Sequence, residues 1–300
     1  MKFSIFQVSR KGGRDKNEDR MGYCYTKASG LFLVADGMGG HPHGEVAAQL
    51  ALHTVAAQFQ REANPEVADV PSFLERALLA AHRRILRFSM EQGLSDSPRT
   101  TLVACMVQGG KAYWIHCGDS RLYWVRDGVM LTRTKDHSYA EQGADKVLAQ
   151  TVNRNVLYTC LGSPVKPLYD VTGPVHLLGG DRLMLCSDGL WSAVADADIV
   201  RELCAKPVTD SAPDLVELAL SNAGGKGDNV TMIALEWEVE EQFQTTRGTI
   251  STESIEEGVF ASTVQASWND IEIDDFDDEA IERSIAEINE AIRRSAERKN

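Results

Sequence analysis

The stretch Thr101–Thr132, TLVACMVQGGKAYWIHCGDSRLYWVRDGVMLT, decides the fold class. It divides into four apolar runs, TLVACMVQ, KAYWIHC, RLYWVR and VMLT, and the divisions fall at Gly109-Gly110, Gly118-Asp119-Ser120 and Asp127-Gly128. Short runs rich in β-branched and aromatic residues read as strands. Gly and Asp pairs between them supply the backbone conformations that tight hairpins require. Consecutive hairpins build antiparallel sheet. Upstream the period changes: EVAAQLALHTVAAQF reads as a largely buried helix, and Leu74, Leu78, Ala81, Ile85 and Phe88 lay an apolar stripe along a second. RLMLCSD and VTMIALEW add two further strands. Helices and strands come in separate blocks, so the expected class is α+β with mostly antiparallel sheets.

The composition bounds the function. The chain has 300 residues, 43% of them hydrophobic, and a formal net charge of -13. That is enough apolar material for a substantial core. The acidic balance argues against nucleic-acid binding, which needs clustered Lys and Arg, and against anionic membranes. No apolar run reaches membrane-spanning length and the N-terminus lacks a signal-peptide pattern, so a cytoplasmic location is expected. Six cysteines without C-x-x-C spacing read as buried reduced thiols.

Near residue 240 the character shifts. Residues 240–276 are acidic and rich in Ser and Thr, and read as a linker after a domain spanning 1–239. Residues 277–300 place Ile281, Ile285, Ile288 and Ile292 on one helical stripe, with acidic residues early and Arg and Lys late. This describes an amphipathic helix aligned with its own dipole, suited to docking on a kinase, a scaffold, the catalytic domain or a second copy.

FLVADGMGGHPHGE, Phe32–Glu45, resembles a ligand loop of several kinds. Read as G-x-G-x-x-G from Gly37, its last position is Pro42, which has no N–H for a pyrophosphate. No Walker lysine follows. His41 and His43 have no second pair of zinc ligands at matching spacing. What remains is Asp36. Asp119, Asp188 and Asp228 share its setting, each at the end of an apolar strand beside Gly118, Gly189 or Gly227. Turn chemistry explains any one of them. Four carboxylates at one sheet end would repel one another unless cations lay among them, and an all-oxygen ligand set suits Mg²⁺ or Mn²⁺.

GGRDKNEDR, FLVADGMGG, TTLVACMV, HCGDSRLYWVRDG, KDHS, LMLCSDGLW and GDNVTMIAL stand in the order and spacing of the metal-dependent protein phosphatases, the phosphatase 2C-like serine/threonine enzymes, and most resemble the bacterial members. The resemblance covers residues 3 to 238. It implies an α-β-β-α sandwich of two stacked sheets with a metal centre in a cleft at one end. It further implies that Asp36 bridges two ions, with Asp188 and Asp228 on the first and the Gly37 carbonyl and Glu18, through water, on the second. Asp119 matches a third, weaker site shared with Asp188, and Arg14 the arginine that grips substrate phosphate. The implied reaction is hydrolysis of phosphoserine and phosphothreonine in proteins, opposing a Ser/Thr kinase, by attack of a hydroxide bridging the two ions. Asp19 and Asn229 read equally well as supporting or turn residues, and His116 and His137 as structural histidines.

Three departures stand out. Met38 occupies a position where many family members carry histidine, so the proton donor to the leaving group falls to metal-bound water or to His41 or His43. Arg99 replaces a glycine before Thr100-Thr101. The stretch EQGADKVLAQTVNRNVLYTCLGSP corresponds to a variable flap. A binding module that has kept the fold and lost the chemistry, and a two-metal phosphodiesterase or nuclease, are the rival classes.

Overall fold

The computed structural model describes residues 1–41, 43–141, 156–238, 249–251 and 260–264. In chain order the elements are β1 (Lys2–Arg10), β2 (Arg20–Tyr25), β3 (Ser29–Ala35), α1 (Gly44–Glu62), α2 (Val70–Glu91), β4 (Leu102–Gln108), β5 (Lys111–Cys117), β6 (Arg121–Arg126), β7 (Val129–Arg133), β8 (Asp170–His176), β9 (Arg182–Cys186), α3 (Asp188–Trp191), α4 (Asp196–Ala205), α5 (Val208–Ala223), β10 (Val230–Glu238), β11 (Thr249–Ser251) and β12 (Ala261–Ser262). They form two six-stranded sheets in the orders β11-β1-β10-β9-β6-β7 and β12-β2-β3-β4-β5-β8. Every pair is antiparallel. The hairpins expected at Gly109-Gly110 and Asp127-Gly128 are present, whereas Gly118-Asp119-Ser120 is a crossover that carries the chain from one sheet to the other.

The sheets stack, and a helical layer covers each outer face. In β3, Leu31, Leu33 and Ala35 pack toward α1 and α2, while Phe32 and Val34 pack into the interface between the sheets. In β10, Met232 and Ala234 face α4 and α5, while Ile233 and Leu235 face the other sheet. Both faces of the central strands are therefore covered. That explains their continuous rather than alternating apolar sequence, since alternation arises when one face meets water. Asp69 caps α2 by accepting a hydrogen bond from Ser72 N–H at 3.2 Å, with Pro71 in the first turn. All six cysteines are free, five of them buried.

The stretch 240–276, expected as a linker, is in part a structural element. β11 extends one sheet beside β1 and β12 extends the other beside β2. Val264 is buried on Gly22, Phe260 packs on the Phe59 ring at 6.2 Å, and Ile250 joins the core between the sheets. Acidic composition hid these few apolar contacts, each made to a residue more than 150 positions earlier. The helix expected over 277–300 and residues 142–155 of the expected flap lie outside the described residues. Among the described residues no helix is long and apolar enough to cross a membrane.

Candidate active site

Strand ends build the site. Asp36 follows β3, Asp119 follows β5, Asp188 follows β9 and opens α3, and Asp228 precedes β10. Glu18 and Arg14 sit on the loop between β1 and β2. All of these and Gly37 line one cleft of about 670 Å³ at an end of the sandwich. The structure thus brings together every residue that the sequence assigned to the centre.

The turn at Asp36 is clamped from behind. Thr101 N–H and Thr100 Oγ1 both donate to the Asp36 carbonyl, at 2.9 and 2.8 Å, and Asp36 N–H donates to Thr101 Oγ1 at 3.0 Å. Thr101 Oγ1 also bonds Ser120 Oγ at 2.7 Å, which ties the Asp36 turn to the Asp119 turn. Gly37 is required by close approach: a Cβ there would lie 2.6 Å from the Gly44 carbonyl and 2.7 Å from that of Glu18. Trp191 Nε1–H donates to the Asp119 carbonyl at 2.9 Å, and the Trp191 ring is covered by the Arg121 guanidinium at 3.6 Å. Arg121 in turn makes a two-point pair with buried Asp136.

The electrostatics are those of crowded like charge. Burial, then the neighbouring Asp19, Asp188, Asp119 and Asp228, hold the Asp36 carboxyl well above the ordinary range. Burial and Asp228 raise Asp188, while burial, Asp188 and Asp136 push Asp119 up to about 8. Burial and Glu45 raise Glu18, whose Oε2 is buried with no hydrogen-bond partner. Arg14 reaches Asp228 Oδ2 at 2.5 Å from the rim, and Lys16, 3.5 Å from Glu45, adds positive charge near Glu18. Oxygen-only donors, mutual repulsion and an orphaned buried carboxylate oxygen fit hard divalent cations between these side chains.

The structure gives partners to several residues that the sequence left between two readings. Asp19 is buried beneath the centre and accepts from Ser187 Oγ at 2.7 Å. His41 Nδ1 bonds Asp96 Oδ2 at 2.8 Å, and Arg99 Nη2 donates to Asp96 Oδ1 at 3.1 Å. Arg99, the residue in the glycine position, therefore braces the cleft rim through Asp96, and its carbonyl accepts from Met38 N–H at 3.0 Å. His116 and His137 stack at 4.5 Å beneath the Asp119 turn. His116 Nε2 meets the Lys135 carbonyl, and His137 accepts from Gly118 N–H at Nδ1 and faces Asp170 at Nε2. With both His137 nitrogens engaged, the pair acts as a buttress. Burial raises the thiols of Cys24, Cys105, Cys117, Cys160 and Cys186, which suits packing and opposes thiolate chemistry.

Comparison with known proteins agrees with this geometry. Residues 9–218 match the family model for protein phosphatase 2C. The serine/threonine protein phosphatase PstP of Mycobacterium tuberculosis is 34% identical over 228 residues, which are 73% of this chain and 42% of that protein. The match thus covers somewhat less than half the length of that relative. The serine/threonine phosphatase stp of Listeria innocua is 29% identical over 239 residues, 77% of this chain and 94% of that protein. The crystal structure of the PstP catalytic domain in complex with two manganese ions superposes with a TM-score of 0.63 at 32% identity, covering 79% of this chain and 100% of that one. Motif order, architecture and the cluster of strand-end carboxylates together lead to one conclusion: the chain belongs to the protein phosphatase 2C family.

Proposed function

We propose that this chain is a metal-dependent protein serine/threonine phosphatase. The observation that carries the reading is the meeting, in one cleft, of Asp36, Asp119, Asp188 and Asp228 from four strand ends, three of them with raised proton affinity, beside the orphaned Glu18 oxygen. Such a set calls for positive charge among its oxygens. Asp36, Asp188 and Asp228, with the Gly37 carbonyl and Glu18, would hold two Mn²⁺ or Mg²⁺ ions, and Asp119 with Asp188 a third. Bound there, the ions supply a water deprotonated near neutral pH and positive charge against the phosphoryl oxygens.

The chain's own residues provide the rest. Thr100 and Thr101 fix the Asp36 backbone so that its carboxylate is aimed before any ligand arrives. Asp228 is held on one oxygen by Asn229 N–H at 2.8 Å, which leaves the other to Arg14. Once Asp228 is neutralised by a cation, the exposed Arg14 fork is free to turn to a phosphate and take two of its oxygens. The open, polar cleft accepts a phosphorylated side chain presented on a peptide. The partners are phosphoproteins and the Ser/Thr kinase that modifies them, the compartment is cytoplasmic, and 277–300 is the candidate contact for a kinase or scaffold.

The test is hydrolysis of p-nitrophenyl phosphate and of phosphoserine and phosphothreonine peptides, with Mn²⁺ and with EDTA. The reading requires turnover that EDTA abolishes and Mn²⁺ restores. Full activity in EDTA would refute the metal chemistry, and inactivity on all substrates with every divalent ion would favour a binding module.

A further inference from the structure

We infer that Asn229 is a positioning residue for both working parts of the cleft: its carboxamide sets the Lys11–Glu18 loop, and through that loop the Arg14 guanidinium and the Glu18 carboxylate. The inference rests on the phosphatase reading above. Asn229 is 5% exposed. Its Nδ2 donates to the carbonyls of Lys11 at 2.7 Å and Lys16 at 2.9 Å, and its Oδ1 accepts from Glu18 N–H at 2.8 Å. A carboxamide carries two N–H donors and one acceptor oxygen, and here each is used. The assignment of its oxygen and nitrogen is fixed by the partners, because the flipped amide would set oxygen against two carbonyls and NH₂ against an N–H.

The contacts bracket the loop at both ends. Arg14 lies between the two carbonyls that Asn229 holds, and the Glu18 side chain starts at the residue whose N–H it accepts from. The same turn grips the loop's backbone: Gly13 N–H donates to the Gly227 carbonyl at 2.8 Å. Gly12, at φ +62, lies so close that a Cβ would come 2.1 Å from the Asp228 carbonyl. The Asn229 N–H meanwhile orients Asp228. One residue therefore couples the turn before β10, at Asp228, to the loop between β1 and β2, over 200 positions away in the chain.

No other side chain of this size reproduces the arrangement. Aspartate keeps the acceptor for Glu18 N–H and turns two donations into oxygen facing carbonyl oxygen. Alanine leaves three backbone groups to find other partners, and the loop is released. Phosphate contacts from the released Arg14 weaken, because a guanidinium fork gains from two-point binding only when it is correctly placed.

The experiment is a double-mutant cycle on Mn²⁺-activated hydrolysis of p-nitrophenyl phosphate, with Asn229→Ala, Arg14→Ala and the double variant, reading kcat and KM separately and inhibition by inorganic phosphate. Melting curves confirm which variants are folded, and Asn229→Asp gives a second, isosteric replacement. Asn229→Ala should raise KM and the phosphate inhibition constant by about tenfold, and by less than about threefold when Arg14 is already alanine, because residues acting through a shared contact are not additive. Fully additive effects, or an unchanged KM and phosphate affinity in a folded variant, overturn the inference. A wild-type chain without Mn²⁺-dependent turnover would instead overturn the phosphatase reading on which it rests.

Discussion

Replacing Asp119 with asparagine should stabilise the chain when divalent ions are removed and handicap it when they are supplied. Asp119 is 7% exposed, and burial with the charges of Asp188 and Asp136 holds its carboxyl at about 8. In the unfolded chain the same group titrates at about 3.9. A carboxyl with a raised value in the fold costs nothing below its unfolded value; the cost grows as pH rises and is complete once pH passes the folded value. At pH 7 the ceiling is about 4 kcal/mol, from roughly 1.4 kcal/mol for each pH unit above the free carboxyl. Asp36 and Asp188 titrate together with it, and local relaxation and water entry soften the penalty, so a gain of about 1–2 kcal/mol is expected on removing the charge. In a domain of this size that corresponds to a melting temperature higher by roughly 3–8 °C. The assay is thermal unfolding in EDTA at pH 5 and pH 7.5, repeated with Mn²⁺. The variant should melt higher than the wild type in EDTA at pH 7.5, by a margin that narrows at pH 5, and should gain less than the wild type from Mn²⁺. Equal or lower melting of the variant in EDTA at pH 7.5 would refute the repulsion argument.

Two further predictions concern Arg14 and the apolar contacts of Ile250, Phe260 and Val264. Arg14→Ala should raise KM for p-nitrophenyl phosphate by about tenfold or more, with Arg14→Lys intermediate, because lysine keeps the charge and loses the two-point fork; steady-state kinetics with Mn²⁺ decide it, and equal KM in the wild type and both variants would contradict the assignment. A chain ending at Glu238 should melt below one ending at Val264 by roughly 5–10 °C, since it loses the apolar contacts of Ile250, Phe260 and Val264, worth about 3 kcal/mol together; coincident melting would show that these contacts add no stability.

Much of the fold was legible because local chemistry and the final sheet agree. TLVACMVQ, KAYWIHC, RLYWVR and VMLT became β4 to β7, and Leu74, Leu78, Ala81 and Ile85 of the expected stripe lie on the buried face of α2, with Phe88 half-buried. The carboxylates were legible for a different reason: an aspartate beside glycine at the end of an apolar run is conspicuous when it recurs four times. What could not be read was long-range pairing. Asn229 read equally well as a supporting or a turn residue because its three partners lie in the first 18 residues. Thr100 and Thr101 looked like the start of β4, yet their hydroxyls hold Asp36. Gly118-Asp119-Ser120 looked like a hairpin and is the step between sheets, because β5 and β6 are adjacent in sequence but not in either sheet. β11 and β12 escaped notice for want of length, as strands of three and two residues leave almost no periodicity to detect.

The central claim is that Asp36, Asp188 and Asp228, far apart in the chain, converge to hold divalent cations. Anomalous diffraction from crystals grown with Mn²⁺ tests it most directly. The account predicts two strong peaks in the cleft, one between Asp36, Asp188 and Asp228 and the other between Asp36 and the side of Gly37 and Glu18. A well-ordered cleft with no anomalous peak among those oxygens, at a Mn²⁺ concentration that supports full turnover, would contradict it.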